Sequence, residues 1–379
     1  MNTEQLSILR LIRGKGIGPA TFYKLLDYYG AAEKAVEAAE SGQVKASVAP
    51  LNVVQEELKA LQKMGAQMVF YTDAHYPAAL KMLADAPPVL TCLGNVALLQ
   101  QKQVALVGSR NASAHGCRFT QKLAAELSEQ GWGVTSGLAR GVDTAAHKGG
   151  LSGRGKTIAV LGGGLDHIYP PENEPLFYEI AKHGLIVAET PLGTRPTAQS
   201  FPKRNRIVAG LSAGVVVVEA ARKSGSLITA QQAGEQGREV MAVPGHPADP
   251  RSHGANHLIR QGATLITSSA DILEAVQNFQ FEAPVLHTPK FFTREELEDM
   301  RPEEEPTLPL ELNPTSAADV TADNLEAKII QTLSTTPTAI DDVVQAVGVP
   351  TAAVTAALSE MEMDGLITRS TGGLVALKP

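Results

Sequence analysis

Aromatic residues are scarce in this chain of 379 residues, at 4%, and Trp132 is its one tryptophan. Any core must therefore be built from aliphatic side chains. The two cysteines, Cys92 and Cys117, are too few for a disulfide framework or a zinc pattern. No stretch approaches the roughly 20 apolar residues of a membrane span. Met1–Ser7 lacks the basic segment and apolar run of a signal peptide. A reducing, cytoplasmic setting without membrane insertion is the expectation.

Several chemical signatures are missing as well. There is no Walker A loop and no His-Glu-x-x-His. In Gly162-Gly-Gly164 the third glycine of a dinucleotide fingerprint would fall at His167. His253-Gly-Ala-Asn-His257 lacks the glutamate of a zinc protease and reads as a turn. No Ser-His-Asp order and no paired catalytic carboxylates stand out, and Glu219 has no evident acid partner. These gaps leave no catalytic machinery, metal or cofactor to expect.

What is present is a local concentration of positive charge on an acidic chain. Lysine and arginine number 33 against 40 aspartates and glutamates, for a net charge of -7. Yet Phe201-Pro-Lys-Arg-Asn-Arg206 packs Lys203, Arg204 and Arg206 into four residues. A solvated basic loop is the plain explanation of such a run. An anionic partner is the alternative, because folding and solubility do not call for the cluster.

The apolar pattern divides the chain into four segments. Residues 1–65 read as helical, and Gly14-Lys-Gly-Ile-Gly-Pro-Ala20 resembles a helix-hairpin-helix turn whose amides could hold a phosphate. Nearly balanced charge there favours a plain helix–helix turn. From 66 to 289, short apolar runs alternate with helical stretches: Val104–Val107, Gly133–Thr135, Thr157–Leu161, Leu185–Ala188, Val215–Val218 and Glu239–Val243. Such alternation predicts βαβ units in a doubly wound parallel sheet, an extended Rossmann-like α/β core with its ligand at the carboxyl ends of the strands. Residues 290–323, acidic and broken by Pro302, Pro306, Pro309 and Pro314, read as a linker. Residues 324–379 show three helical patterns and a hairpin, the order of a winged helix.

Four glycine-rich turns, Gly162–Gly164 among them, follow the predicted strands. Gly108-Ser109-Arg110 reads equally as a phosphate cradle or as a βα turn with a salt-bridged arginine. In Ser136-Gly-Leu-Ala-Arg-Gly-Val-Asp143, Arg140 can face an anion while Asp143 or Thr144 caps the following helix. Asp143 and His147 share an i,i+4 spacing, but with no further ligands nearby a packed histidine is favoured over a metal. Lys223-Ser224-Gly225-Ser226 places a lysine, hydroxyls and amides at another helix start. Loops converging on one sheet edge would line a single groove, and its cations exceed the needs of a mononucleotide. Single-stranded nucleic acid fits a basic track with room for bases beside Phe201 and Asn205.

These motifs together resemble the DNA-processing protein A family (DprA, also called Smf). The matching segments are Gly108–Arg110, Ser136–Asp143, Thr157–Asp166 with Tyr169-Pro170, Phe201–Ile207, Ser224–Ala230, Gly237–Gly245 and Gly254–Ile259. The resemblance implies a core that binds single-stranded DNA without catalysis. It further implies a homodimer and loading of the RecA recombinase during natural transformation. Carried over to this chain, it points to DNA contacts from Gly108, Ser109, Arg110, Arg140, Phe201, Lys203, Arg204, Asn205 and Arg206. Weaker contacts fall at Lys223, Ser224, Gly225 and Ser226. An alternative is a nucleoside-phosphate hydrolase of the phosphoribohydrolase type, whose Pro-Gly-Gly-x-Gly-Thr loop is replaced here by Glu219-Ala-Ala-Arg-Lys-Ser-Gly-Ser-Leu227. The winged helix should not read duplex DNA. Residues 326–379 carry three basic side chains against six carboxylates, and Thr351–Asp364 has no lysine or arginine.

Overall fold

The computed structural model describes residues 1–44, 46–279, 322–370 and 373–378, so most of the expected linker and the end of the expected core lie outside the described residues. Four helices open the chain: α1 (Thr3–Ile12), α2 (Pro19–Tyr29), α3 (Ala32–Glu40) and α4 (Leu51–Lys63). Their apolar faces close on Ile8, Leu11, Phe22, Val36 and Val54, and the same cluster takes in Phe70 and Val89 from the first two strands. The hairpin turn after α1 is backed by chain, since a side chain at Gly14 would sit 2.0 Å from the Ser47 carbonyl oxygen. Arg13 leaves that turn to bind Glu57 at 3.0 Å and donates to the Glu189 carbonyl at 3.3 Å, tying the helical domain to the sheet.

The core is a nine-stranded sheet in the order β1-β2-β6-β5-β4-β3-β7-β8-β9. The strands are β1 (Gln67–Phe70), β2 (Val89–Gly94), β3 (Gln103–Val107), β4 (Gly133–Ser136), β5 (Thr157–Leu161), β6 (Leu185–Ala188), β7 (Gly214–Val217), β8 (Glu239–Ala242) and β9 (Thr264–Leu265). From β3 to β7 every residue is buried, which is why these strands read as unbroken apolar runs and not as alternating ones. Helices α5 (Ala78–Lys81), α6 (Ala114–Glu129), α7 (Val142–Ser152), α8 (Glu174–His183), α9 (Ser200–Gly210), α10 (Gly225–Glu235), α11 (His253–Arg260) and α12 (Ser269–Val276) accompany them.

The sheet is the doubly wound, mostly parallel one expected, with two antiparallel strands added at one edge. β1 runs antiparallel to β2, and β2 antiparallel to β6. Parallel pairing needs a crossover helix, and only the four-residue α5 stands between β1 and β2.

The chain lays down β3, β4, β5 and β6 in one direction, then returns to place β7 on the other side of β3. The order therefore reverses between β3 and β7. Loops following those strands diverge there, opening the crevice where ligands of such sheets bind.

The last domain is a winged helix built from α13 (Ala322–Thr332), β10 (Thr338–Ala339), α14 (Ile340–Val347), α15 (Thr351–Met363), β11 (Ile367–Ser370) and β12 (Leu374–Leu377). It has its own core around Leu325, Ile329, Val343, Val354, Leu358 and Val375. Among the described residues no single helix is long and apolar enough to cross a membrane.

Candidate nucleic-acid interface

The basic motif lies on a helix, and that decides where its charges go. Phe201–Arg206 forms the first two turns of α9, so successive residues point about 100° apart. Lys203 faces solvent. Arg204 turns inward, is 7% exposed, and donates from Nη1 to the carbonyls of Gly137 and Val160 at the ends of β4 and β5. Arg206 turns to a third side, binding Glu189 at 2.5 Å and Asp85 at 3.3 Å. The sequence expectation grouped these three as one contacting set. Only Lys203 is on the surface; Arg204 and Arg206 are occupied inside, because a helix cannot aim adjacent residues the same way.

Arg204 supports the loop Gly137–Gly141 from below. Its charge faces the buried Asp143, whose Oδ2 accepts from the amides of Gly137 and Ala139 at 3.0 and 3.3 Å. Burial pushes the Asp143 carboxyl up, and Arg204 opposes that shift. Burial also lowers the Arg204 guanidinium to about 10, with Asp143 opposing and Arg110 adding to the fall. His147, fully buried, accepts from the Leu138 amide at 3.1 Å and pairs through its other ring nitrogen with Thr157 Oγ1 at 2.7 Å. Burial, with Arg204 adding, lowers its pKa to about 3, so it is neutral at ordinary pH. Asn173 Nδ2 holds the carbonyls of Leu138 and Ala139 at 2.8 and 3.2 Å. This network keeps Leu138 at φ 59, a conformation seldom adopted outside glycine.

The amides at 137–139 point inward to Asp143 and His147, which leaves Arg140 as the group this loop offers an anion. Neither Asp143 nor Thr144 caps α7: the N-cap is Gly141, without a side-chain cap, and Thr144 Oγ1 donates to the Ala139 carbonyl at 2.8 Å. Arg140, at the loop tip, remains half exposed and lies 3.6 Å from Glu172.

Arg110 ends the Gly108–Arg110 turn and is exposed, with its guanidinium 5.2 Å from the centre of the Phe201 ring. Arg204 approaches the same ring at 5.8 Å, and Tyr169, 40% exposed, stands 5.8 Å from it. Gly162 forms the floor, since a side chain there would come within 3.3 Å of Phe201. Arg110, Gly137, Ala139, Arg140, Tyr169, Pro170 and Phe201 thus line one narrow cleft. Ser109 uses its hydroxyl within the turn, accepting from the Asn111 amide at 3.1 Å, and Gly108 packs on Val142.

The Lys223–Ser226 turn approaches the other side of α9. Asn205 Nδ2 donates to the Gly225 carbonyl at 3.4 Å, and Ser224 Oγ caps α10 while sharing a 2.7 Å hydrogen bond with Ser226 Oγ. Lys223 is exposed beside them, and Gly225 faces open space. Arg110, Arg140, Lys203 and Lys223 are therefore the exposed cations that three of the glycine-rich turns and the basic motif bring to this sheet edge. Tyr169 carries no predicted contact in the sequence reading although it lies in a quoted motif, and Asn173, Glu189 and Asp85 have no sequence signal at all.

At the reversal of strand order the chain supplies its own anion. Glu219 accepts from the amide of Ser113 at 2.9 Å and from its hydroxyl at 2.6 Å, at the N-terminus of α6. A side chain on Gly116 would collide with that carboxylate at 2.5 Å. The helix terminus that offers donors to a nucleotide phosphate in other doubly wound sheets is filled.

Comparison with known proteins identifies the family and the domains of the chain. The profile of the DNA recombination-mediator protein A family matches residues 67–277, a DprA winged helix domain matches 313–373, and a DprA-like N-terminal HHH domain matches 2–60. Protein Smf of Synechocystis sp. is 33% identical over 395 residues, covering 98% of each chain. The DNA processing protein A structure from Streptococcus pneumoniae superposes with a TM-score of 0.62 at 36% identity, over 74% of this chain and 99% of that one. The Helicobacter pylori protein, whose single-stranded DNA binding mode has been described structurally, gives 0.52 at 32% identity over 56% and 98%. The chain belongs to the DNA recombination-mediator protein A family.

Proposed function

We propose that this protein binds single-stranded DNA, without catalysis, along the rim formed by Arg110, Arg140, Lys203 and Lys223. The observation that carries the reading is the joining of these exposed cations to the aromatic pair Phe201 and Tyr169 in and around one cleft. Cations neutralise phosphates along a backbone, and ring faces take bases of any identity. Gly108, Ser109, Ser224, Gly225 and Ser226 shape the turns that carry two of these cations, while Arg204, Asn205 and Arg206 set the orientation of α9. Family membership supports protection of incoming DNA, homodimer formation and delivery of the strand to the RecA recombinase. The rival phosphoribohydrolase reading is weakened by Glu219, whose carboxylate is bound to Ser113 at the α6 terminus.

Fluorescence anisotropy with labelled oligo-dT and a matched duplex, across a salt series, tests the proposal. Wild type should prefer the single strand, and Arg110→Ala/Lys203→Ala should lose most of that binding while keeping its thermal melting. Equal binding of duplex, or an unaffected double variant, sinks the reading and directs attention to nucleoside monophosphate hydrolysis.

A further inference from the structure

Immediately beyond Arg110 the outer face of α6 carries His115, Arg118 and Lys122, at the three- and four-residue spacings that align side chains along a helix. Lys122 is 71% exposed and Arg118 52%. The carboxylate nearest them on the helix, Glu126, lies 3.8 Å from Lys122 and also accepts from Ser269 at 2.7 Å. In the chain this ridge follows Arg110 directly, with the Glu219 carboxylate seated at the helix start between them, and it belongs to none of the motifs singled out from the sequence.

The ridge has an anionic occupant already. Asp342, in the first turn of α14, forms an ion pair with Arg118. A second attachment lies alongside. Arg251, fixed by Asp249 at 3.1 Å, donates to the carbonyls of Gln331 and Leu333 at the C-terminus of α13, where a cation is favoured by the helix dipole. Between these attachments the domains do not pack closely. Ser334 and Thr336 face His115 and Phe119 across a cavity of about 230 Å³. An ion pair whose arginine is half exposed, beside a gap, is open to displacement from the Arg118 side.

We infer that the α6 ridge, Arg118 and Lys122 with His115 between Arg110 and Arg118, is a second stretch of the single-stranded DNA track, and that the acidic winged helix covers it as a displaceable competitor. The inference rests on the proposed single-strand binding. It assigns the winged-helix domain a partner of defined chemistry, the basic face of its own core. A strand long enough to run past Arg110 displaces Asp342 from Arg118, and a short one does not reach it.

The test uses full-length protein and two labelled oligo-dT probes of about 6 and about 20 nucleotides, bracketing the usual site sizes. Asp342→Ala should raise affinity for the longer probe about three- to tenfold, the gain expected from a phosphate contact or two, and leave the shorter probe unchanged. Adding Arg118→Ala and Lys122→Ala should abolish the gain. Amide hydrogen exchange at 331–336 should quicken in Asp342→Ala. Unchanged long-probe affinity overturns the inference, as does a gain that survives loss of Arg118 and Lys122, or exchange at 331–336 that does not respond. The short probe separates the two readings. If wild type fails to bind it, the proposed function falls and this inference with it. If it binds and the long-probe difference is absent, only the ridge is refuted.

Discussion

At the scale of single residues, Arg204 shows how a charge in a basic motif can serve the fold. Buried against Asp143 and bonded to two strand-end carbonyls, it holds the loop carrying Arg140. Arg204→Leu should lower stability by about 3–5 kcal/mol, because a buried carboxylate and two carbonyls lose their partner; urea denaturation reads this directly. Arg140→Ala should leave stability unchanged and reduce the salt dependence of single-strand binding by about 0.7 in slope. His147 predicts a pH effect of definite sign. Its pKa falls from an ordinary 6.5 to about 3 on folding. The unfolded chain therefore binds the extra proton between those values, and stability is lost as pH falls from about 6.5 toward 3. The slope is at most about 1.4 kcal/mol per pH unit for one group. His147→Gln should flatten that part of a stability–pH profile; an unchanged profile would show that other groups dominate.

At the scale of elements, the loops matter more than the strands they follow. Gly141 joins two of them, with φ 70 and ψ -120, and a side chain there would lie 2.3 Å from the Ser109 carbonyl. Gly141→Ala should cost at least about 1–3 kcal/mol and weaken single-strand binding by displacing both Arg110 and Arg140, measured by melting and anisotropy on the same sample. The strands β3 to β8 were legible in sequence because near-complete burial makes them mostly apolar, with only Gln103, Thr135, Ser136, Thr157 and Glu239 among them polar or charged. The antiparallel β1 and β2 were not: β1 is four residues long and exposed at its start, β2 follows directly on Pro87-Pro88, and neither alternates apolar and polar residues. Helix α9 was not legible either, because its first turn contains Pro202 and its cations mask the apolar face formed by Ile207, Val208 and Leu211.

At the scale of the whole molecule, binding of a polyanion by a chain of net charge -7 has to come from local field and not from overall attraction. Four exposed cations at the rim imply a slope of log affinity against log salt near -3 for a short single strand. A much shallower slope would mean that aromatic stacking dominates. The winged helix adds little to this field. Its third helix, α15, ends in Glu360, Glu362 and Asp364, and Arg369 is paired with Glu362 at 2.9 Å.

The division of labour between sequence and tertiary structure follows from range. Apolar periodicity, turn glycines and the order of the motifs act over a few residues, so sequence alone determined the α/β class, the flanking domains, the family and the sheet edge to which the proposed site belongs. Direction in space is a property of packing. Only the tertiary structure decided that Arg204 and Arg206 face inward while Lys203 faces out, that Glu219 closes the α6 terminus, and that Asp342 lies on Arg118. Each of these joins residues distant in the chain, through contacts that no local pattern encodes.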